Sequence, residues 1–243
     1  MCGRGPLPTV HGMRLHHHPL STTSRAVLLF AADQAIALDL RLVDLFAGEH
    51  LEPAFAALNP SCQVPVLEDG SFRLSETTAI LKYLAARHGS RAYPVDARLR
   101  ARVDERLDWL NTGLARDLAY GFVYPQLYPH HRRPDDAAQQ AALDWGRRHA
   151  RRWLGVLDTA LLGTHNCCLC GESLTLADYF GAALLSLGDA VHIDYASWPN
   201  VHAWLARMKA LPCWDDVNRV FETLVVAPNR TRDFVPFDEE VTA

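Results

Sequence analysis

Residues 64–77, VPVLEDGSFRLSET, decide the fold, because they predict two strands joined by a tight turn and followed by a helix. Residues 64–67 are a short apolar run that contains Pro65. A proline cannot donate to a ladder, so this residue is expected at a strand start or at a sheet edge. Asp69-Gly70 is a typical hairpin turn, and residues 72–74 form the returning strand. A helix is expected over residues 76–86.

The segments before this stretch complete an alternating pattern. Strands are expected at residues 14–18 and 38–42, and helices are expected at residues 22–37 and 51–58. Together with residues 64–86 they give the order β-α-β-α-β-β-α, which is typical of a small α/β domain.

Strand signals fade after residue 97, and helical periodicity replaces them. Helices are expected at residues 98–120, 135–160, 176–190, 199–210 and 214–225. The predicted fold class is therefore α+β by segments, with an α/β domain first and an all-helical domain second.

The predicted division of the chain has five parts. They are an extension at residues 1–12, an α/β domain at 13–88, a linker at 89–97, a helical domain at 98–226 and a C-terminal tail at 227–243. The extension is rich in Gly and Pro without periodicity, so we expect it to be disordered, or translation to start at Met13. The tail is expected to lie on the surface or to be frayed.

Composition excludes several classes of protein. The 243 residues are 49% hydrophobic and 21% charged, which is ordinary globular usage and argues against disorder. A formal net charge of −4 argues against nucleic acid as a partner. No apolar run reaches the roughly 18 residues of a membrane span. Six cysteines are too few for a disulfide scaffold, so we expect a reducing, cytoplasmic location.

Ser21 stands between the first predicted strand and the first predicted helix. A helix N-terminus has unpaired N–H groups and a positive dipole end, and such a place stabilises an anion, including a thiolate. Ser21 can also be interpreted as a plain N-cap, and the local sequence alone favours that simpler interpretation.

Two further features have the same ambiguity. A cis bond between Val64 and Pro65 would leave the backbone of Val64 free to pair with an extended peptide, whereas an edge-strand proline needs no ligand. Glu76 and Thr77 open a helix directly after a strand, where backbone N–H groups bind carboxylates. The alternative is simple capping of that helix by Ser75 or Thr77.

Taken together, these features resemble the thioredoxin-like domain of cytosolic glutathione transferases. The motif Ser21-x-x-Ser24-Arg25-Ala26-Val27, followed by Val43-Asp44-Leu45 and Gly48-Glu49-His50-Leu51, is similar to the theta-like serine class. The resemblance extends over residues 13–220 and is densest over residues 19–84. It implies a thioredoxin-like glutathione-binding domain followed by the family's helical domain, with glutathione as co-substrate.

The resemblance also implies a role for each site residue. Ser21 would be the catalytic residue, whose hydroxyl hydrogen-bonds the glutathione sulfur. The implied glutathione-binding residues are His50, Gln63, Val64, Pro65, Glu76 and Thr77. His50 would contact the glycyl end, and Val64 would pair with the cysteinyl unit ahead of a cis Pro65. Glu76 and Thr77 would hold the γ-glutamyl ammonium and carboxylate. Gln63 stands where relatives often have a basic residue.

A pocket for a small hydrophobic electrophile is expected in the helical domain, with Ser24, Arg116, Tyr120 and Tyr124 as candidate residues. Ser24 could compete with Ser21 for the sulfur, and Arg116 is one place along from where some theta members have a cleft arginine. The tyrosines could instead be core residues. The resemblance further implies a homodimer that conjugates glutathione or displaces a leaving group such as halide.

Other sequence features suggest weaker alternatives. His16-His17-His18, and His165 with the cysteines at 167, 168 and 170, supply metal-type atoms, but their spacing is unusual and no metal is expected. A glutathione-dependent thiol reductase would need a cysteine at position 21 or 24. A non-catalytic scaffold with this fold is the main alternative, and it would not need a glutathione site.

Overall fold

The computed structural model describes residues 12–238, so the expected extension at residues 1–12 lies outside them apart from its last residue. The predicted fold class is confirmed: a four-stranded mixed sheet with helices is followed by an all-helical half. The boundaries proposed between the parts of the chain stay a prediction.

The sheet contains strands β1 (Arg14–His17), β2 (Asp39–Leu42), β3 (Val66–Asp69) and β4 (Phe72–Ser75), in the order β2-β1-β3-β4. β1 pairs in parallel with β2 and antiparallel with β3, and β3 and β4 form the expected hairpin. Pro65 directly precedes β3, so the ladder begins after it and no donor is missing.

Three helices accompany the sheet: α1 (Thr22–Asp33), α2 (Pro53–Ala56) and α3 (Thr77–His88). A 3-10 turn at Glu49–Leu51 precedes α2. α1 is shorter than expected, because the chain turns at Ala35, whose φ of 52° is left-handed and ends the helix. α2 is likewise shorter than the expected residues 51–58, since Pro53 stands at its start and Pro60 follows it.

The helical half contains the remaining elements. They are α4 (Ala97–Trp109), α5 (Tyr124–Leu127), α6 (Asp136–Val156), α7 (Leu176–Leu185), α8 (Pro199–Lys209), α9 (Trp214–Phe221) and α10 (Ala227–Asn229). α4, α6 and α9 continue with π-type hydrogen bonding over Leu110–Val123, Leu157–Leu162 and Glu222–Val226. Two 3-10 segments, Pro129–His131 and Ser186–Val191, follow α5 and α7. No helix within residues 12–238 is long and apolar enough to cross a membrane.

α6 crosses the π-type continuation of α4 at very short range. A Cβ built on Gly146 would lie 2.4 Å from the carbonyl carbon of Gly121. The two backbones are therefore in direct contact, and neither position has room for a side chain.

The C-terminal segment packs against the helices as far as residue 238, and most of its residues stay exposed. Of the two expectations for the tail, a surface position agrees with the described residues and fraying does not. Phe237 is only 3% exposed and packs edge-on against Phe122 with ring centroids 5.0 Å apart. Arg147 Nη1 donates to the Pro236 carbonyl at 2.8 Å, and Gln126 Oε1 accepts from the Val235 N–H at 2.8 Å. These contacts hold the segment despite its lack of helical periodicity.

Candidate functional site

Ser21 is the N-cap of α1, as the sequence indicates. Its backbone is extended, with φ −70° and ψ 119°, and its Oγ accepts from the Ser24 N–H at 3.2 Å. Within residues 12–238, the N–H groups of Thr22 and Thr23 have no acceptor. Ser21 therefore caps α1, and the positive end of the helix dipole and two unpaired N–H groups still lie beside its hydroxyl.

Thr23 connects the three segments that the sequence singled out. Its Oγ1 lies 2.9 Å from Ser21 Oγ and donates to the Val64 carbonyl at 3.1 Å. Its own carbonyl accepts from Thr77 Oγ1 at 3.4 Å. Three stretches that are far apart in the sequence therefore meet within hydrogen-bond distance of one residue. Thr23 is not among the residues predicted from the sequence, although its hydroxyl beside a helix N-cap was an available signal.

We call the meeting point of Ser21, Thr23, Val64 and Thr77 the Thr23 junction. Its hydroxyl protons have a defined arrangement. A carbonyl oxygen only accepts, so the Thr23 hydroxyl must donate its single proton to the Val64 carbonyl. In the 2.9 Å contact between the two hydroxyls, Ser21 is then the donor and Thr23 the acceptor. An anion placed beside Ser21 would compete with Thr23 for that proton, and an anion is the stronger acceptor.

The Val64–Pro65 peptide bond is cis, in agreement with the sequence hypothesis. The Val64 N–H has no acceptor among residues 12–238. Gln63 is exposed, and its carbonyl accepts from Asn59 Nδ2 at 2.8 Å, which braces the loop before Val64. One backbone donor is thus presented next to the Thr23 junction.

Glu76 adopts a strained backbone conformation at the start of α3. Its φ is 69° and its ψ is 118°, a combination that costs a residue with a Cβ on the order of 1–3 kcal/mol. Glu76 is itself the N-cap and makes no side-chain cap bond, and the Thr77 hydroxyl is turned to Thr23, so neither Ser75 nor Thr77 caps this helix. The exposed carboxylate and the first-turn N–H groups are left available to a ligand.

His50 lies in the 3-10 turn Glu49–Leu51, after the left-handed Gly48. Glu49 holds this turn by accepting from the Asp44 N–H at 2.7 Å and from Arg41 Nη2 at 2.6 Å. His50 Nδ1 is buried and has no partner within the described part of the chain. A buried ring nitrogen in this state is ready to bind a polar ligand atom. Among the described residues, no hydrogen bond joins His50 to the Thr23 junction.

Two of the expected pocket residues have polar partners of their own. Ser24 is fully buried and its Oγ accepts from the His18 N–H at 3.4 Å, so it does not line an open pocket. Arg116 forms a two-pronged ion pair with Asp117, with both N–O distances at 2.9 Å, and Asp117 also accepts from Trp153 Nε1. None of these hydrogen bonds reaches the Thr23 junction.

Tyr120 and Tyr124 do lie beside α1. Tyr124 Oη is 3.1 Å from Thr22 Oγ1, and the two tyrosine rings pack edge to face with centroids 5.0 Å apart. Burial raises the pKa of Tyr124, so its hydroxyl stays protonated. We call the surrounding group the aromatic cluster; its members are Tyr120, Tyr124, Tyr128, His130 and His131. It offers flat apolar faces next to the N-terminus of α1.

The metal alternatives gain no support from the geometry. Across residues 12–238, no group of three or more His, Cys, Asp or Glu side chains is arranged to hold a metal ion. His16 instead pairs with Glu68 at 2.7 Å. Cys168 is buried, and burial raises the pKa of its thiol.

Comparison with known proteins agrees with this geometry. Residues 20–87 match the family described as glutathione S-transferase, N-terminal domain, and residues 120–212 match the one described as glutathione S-transferase, C-terminal domain. Human glutathione S-transferase theta-1 is 32% identical over 234 residues, which cover 95% of this chain and 94% of that protein. The mouse theta-1 enzyme is also 32% identical, over 93% of this chain and 92% of its own.

Solved structures give the same result. The apo form of human glutathione-S-transferase T1-1 has a TM-score of 0.71 at 31% identity, covering 93% of this chain and 94% of that one. Human glutathione transferase theta-2, in complex with glutathione and an unknown ligand, has a TM-score of 0.78 at 28% identity, covering 90% and 89%.

Proposed function

The chain belongs to the glutathione S-transferase family and is theta-like, and on that premise we propose that it transfers the glutathione thiolate to an electrophilic carbon. In conjugation by displacement, a carbon–sulfur bond forms while the bond to the leaving group, such as halide, breaks and the leaving group takes the electron pair. The thiol proton is lost to solvent before attack. A free thiol with a pKa of about 8.5 is only a few per cent ionised at pH 7, so the protein must favour the thiolate.

Ser21 is the proposed catalytic residue. Its hydroxyl would turn its proton from Thr23 to the sulfur, while the N-terminus of α1 adds a positive dipole end. Hydrogen bonds to charged groups contribute about 1.5–3 kcal/mol, which corresponds to lowering the pKa of the bound thiol by about 1–2.

The peptide part of glutathione is proposed to bind along three segments. Val64, ahead of Pro65, would donate its free N–H to the cysteinyl unit in strand fashion. The γ-glutamyl carboxylate would lie on the N-terminus of α3 at Thr77, and the ammonium would pair with the exposed Glu76 carboxylate. His50 and Gln63 would contact the glycyl end.

The electrophile is proposed to bind against the aromatic cluster, on the side of Tyr120 and Tyr124. The contact between Tyr124 and Thr22 supports this assignment, because it brings those rings next to the helix turn that follows Ser21. A flat aromatic surface suits a small hydrophobic molecule.

The observation that carries the proposal is the Thr23 junction. It brings the Ser21 hydroxyl, the Val64 backbone and the start of α3 at Thr77 together, with donor–acceptor distances of 2.9–3.4 Å. A scaffold protein would need neither this convergence nor a strained Glu76.

The quaternary structure and the compartment are also part of the proposal. We assign a homodimer, which light scattering on the purified protein will test. The cysteines described at 62, 167, 168, 170 and 213 are free thiols, which supports a reducing, cytoplasmic location.

The decisive experiment is calorimetric binding of glutathione, combined with ultraviolet absorbance of the bound thiolate, for the wild type and Ser21→Ala. We expect the wild type to bind and ionise glutathione at neutral pH. We expect Ser21→Ala to bind it with most of the thiolate absorbance lost.

Two control variants separate chemistry from folding. Asp96→Ala removes the N-cap of α4, which accepts from two N–H groups at 3.0 and 2.9 Å, so it lowers stability without touching the site. Ser24→Ala tests the competing serine and should leave the thiolate signal unchanged. A wild type that does not bind glutathione would reject the enzyme and favour the scaffold; full ionisation in Ser21→Ala would remove the role of Ser21.

A further inference from the structure

Arg25, in the first half of α1, is completely buried and surrounded by neutral groups. Its Nη1 donates to Ser186 Oγ at 2.8 Å and to Asn218 Oδ1 at 2.7 Å, and Nη2 donates to the Ala183 carbonyl at 3.4 Å. The guanidinium carbon lies 3.9 Å from the centroid of the Phe221 ring. Among the residues between 12 and 238, no carboxylate forms an ion pair with Arg25, and its Nε has no hydrogen-bond partner.

A packing role does not account for this charge. Burying a guanidinium without a counterion is costly, and an apolar side chain of similar volume generally fills such a space with less loss of stability. Burial lowers the pKa of Arg25 to about 10, so the side chain still carries its charge at neutral pH. The structure therefore keeps a full positive charge inside the protein with only dipoles and one ring face around it.

The charge lies directly behind the proposed catalytic turn. The Arg25 N–H donates to the Ser21 carbonyl at 2.9 Å, so the two residues are one helical turn apart. The Tyr124 hydroxyl lies 3.1 Å from the hydroxyl of Thr22, the residue that follows Ser21. Nothing between Arg25 and Ser21 carries a negative charge that would cancel the field.

We propose that Arg25 is a positioning residue for the reaction, whose buried charge adds to the field at Ser21 and favours an anionic sulfur there. This inference rests on the proposed function, because it requires a thiolate at Ser21. The residue acts through space and through the orientation of α1, and it does not touch the sulfur.

The other titratable groups around this region do not supply or cancel the same charge. Asp189 is a carboxylate that interacts electrostatically with Arg25, but Lys209 Nζ donates to both of its oxygens, at 2.8 and 2.7 Å. Burial raises the pKa of Tyr124 and of Tyr128, so both stay neutral. His18, the residue after β1, accepts from the Leu20 N–H, and burial lowers the pKa of its ring, which keeps it neutral as well.

The expected effect follows from the separation of the two charges. Four residues of helix span about 6 Å, so the guanidinium lies roughly 10 Å from a sulfur at Ser21. With an effective dielectric constant of about 20, removal of the charge would raise the pKa of the bound thiol by about one. At a pH below that pKa, the thiolate fraction would fall about tenfold.

Asn218→Asp is the most informative variant, because it places a carboxylate beside Nη1 with almost no change in shape. It neutralises the charge where it stands and gives the buried guanidinium an ion-pair partner. It also removes the Nδ2 donor that Asn218 directs to the Trp214 carbonyl at 2.9 Å, a loss that it shares with Asn218→Ala. The matched Asn218→Ala removes the same hydrogen bond and leaves the charge in place. Thermal unfolding of both variants checks that they are folded.

The readout is the pH titration of the bound glutathione thiol by ultraviolet absorbance, together with kcat/KM against pH. We expect Asn218→Asp to raise the pKa of the bound thiol by about one and to lower kcat/KM about tenfold at low pH, with recovery at high pH. Asn218→Ala should titrate like the wild type, and Arg25→Lys should titrate closer to the wild type than Arg25→Gln.

Two results would overturn the inference. If Asn218→Asp folds, binds glutathione and titrates like the wild type, the charge of Arg25 does not act on the sulfur, although the proposed function stands. If the wild type itself does not ionise bound glutathione, both the proposed function and this inference are removed.

Discussion

Replacing Glu76 by Gly should stabilise the fold and weaken glutathione binding at the same time. The backbone at this position has φ 69° and ψ 118°, which costs a residue with a Cβ on the order of 1–3 kcal/mol. Glycine relieves the Cβ contacts but loses more conformational freedom on folding, by about 0.5–1 kcal/mol. The net gain in the free energy of unfolding is about 1 kcal/mol, which for a chain of this size raises Tm by roughly 2–4 °C.

The assay is thermal and urea unfolding of the free protein, combined with calorimetric titration of glutathione. Glu76→Gln is the matched control, because it keeps the Cβ and the strain while it removes the carboxylate. Both variants should bind glutathione more weakly, by about tenfold for the loss of one charged hydrogen bond, and only Glu76→Gly should be more stable. A Glu76→Gly protein that unfolds more easily than Glu76→Gln would refute the strain argument.

Two further predictions concern stability. Gly146→Ala should lower the free energy of unfolding by about 1–3 kcal/mol, since its Cβ would lie 2.4 Å from the carbonyl carbon of Gly121. Gly155→Ala on the same helix is the control, because a Cβ there has no atom within 4 Å, and it should be neutral or slightly stabilising. Urea unfolding measures both variants. The hydrogen bond from His16 lowers the pKa of Glu68 in the folded protein. The ionised Glu68 carboxylate therefore stabilises the fold at a pH above the ordinary carboxyl pKa, and this stabilisation is lost as the pH falls through the lowered pKa of Glu68. In urea unfolding between pH 6 and 3, the free energy of unfolding should therefore fall more steeply with pH for the wild type than for Glu68→Gln. An equal pH dependence of the two proteins would contradict this role of Glu68.

The order of strands and helices could be predicted from the sequence, because periodicity and turn residues act locally. The hairpin between β3 and β4 is the clearest case, since Asp69-Gly70 and the alternating residues around it determine it. The end of α1 could not be predicted, because its apolar periodicity continues through Ile36 while the backbone turns at Ala35. The ordered C-terminal segment was also missed, since it is held by side chains from distant helices rather than by a pattern of its own.

The candidate site shows the same limit. Ser21, Val64 and Glu76 stand at helix or strand ends, where local chemistry marks them. Thr23 became visible only when the fold brought Val64 beside it, and no local pattern reveals that contact. The burial of Ser24 could not be seen either, because a serine near a helix start is usually exposed; here it is fully buried and its Oγ accepts from the His18 N–H.

The attachment of the C-terminal segment has a consequence for which mutations it tolerates. The helices form hydrogen bonds mainly with its backbone. The carbonyls of Pro236 and Phe237 accept from Arg147 and Arg151 at 2.8 and 3.1 Å, and the N–H of Val235 donates to Gln126. Every amino acid supplies the same carbonyl, so most substitutions in residues 235–238 should leave the attachment intact. Phe237 is the exception, because its ring is buried. A saturation scan of this segment should therefore find one restricted position among permissive neighbours, and the restriction should come from the rings of Phe122 and Trp198, which pack against Phe237.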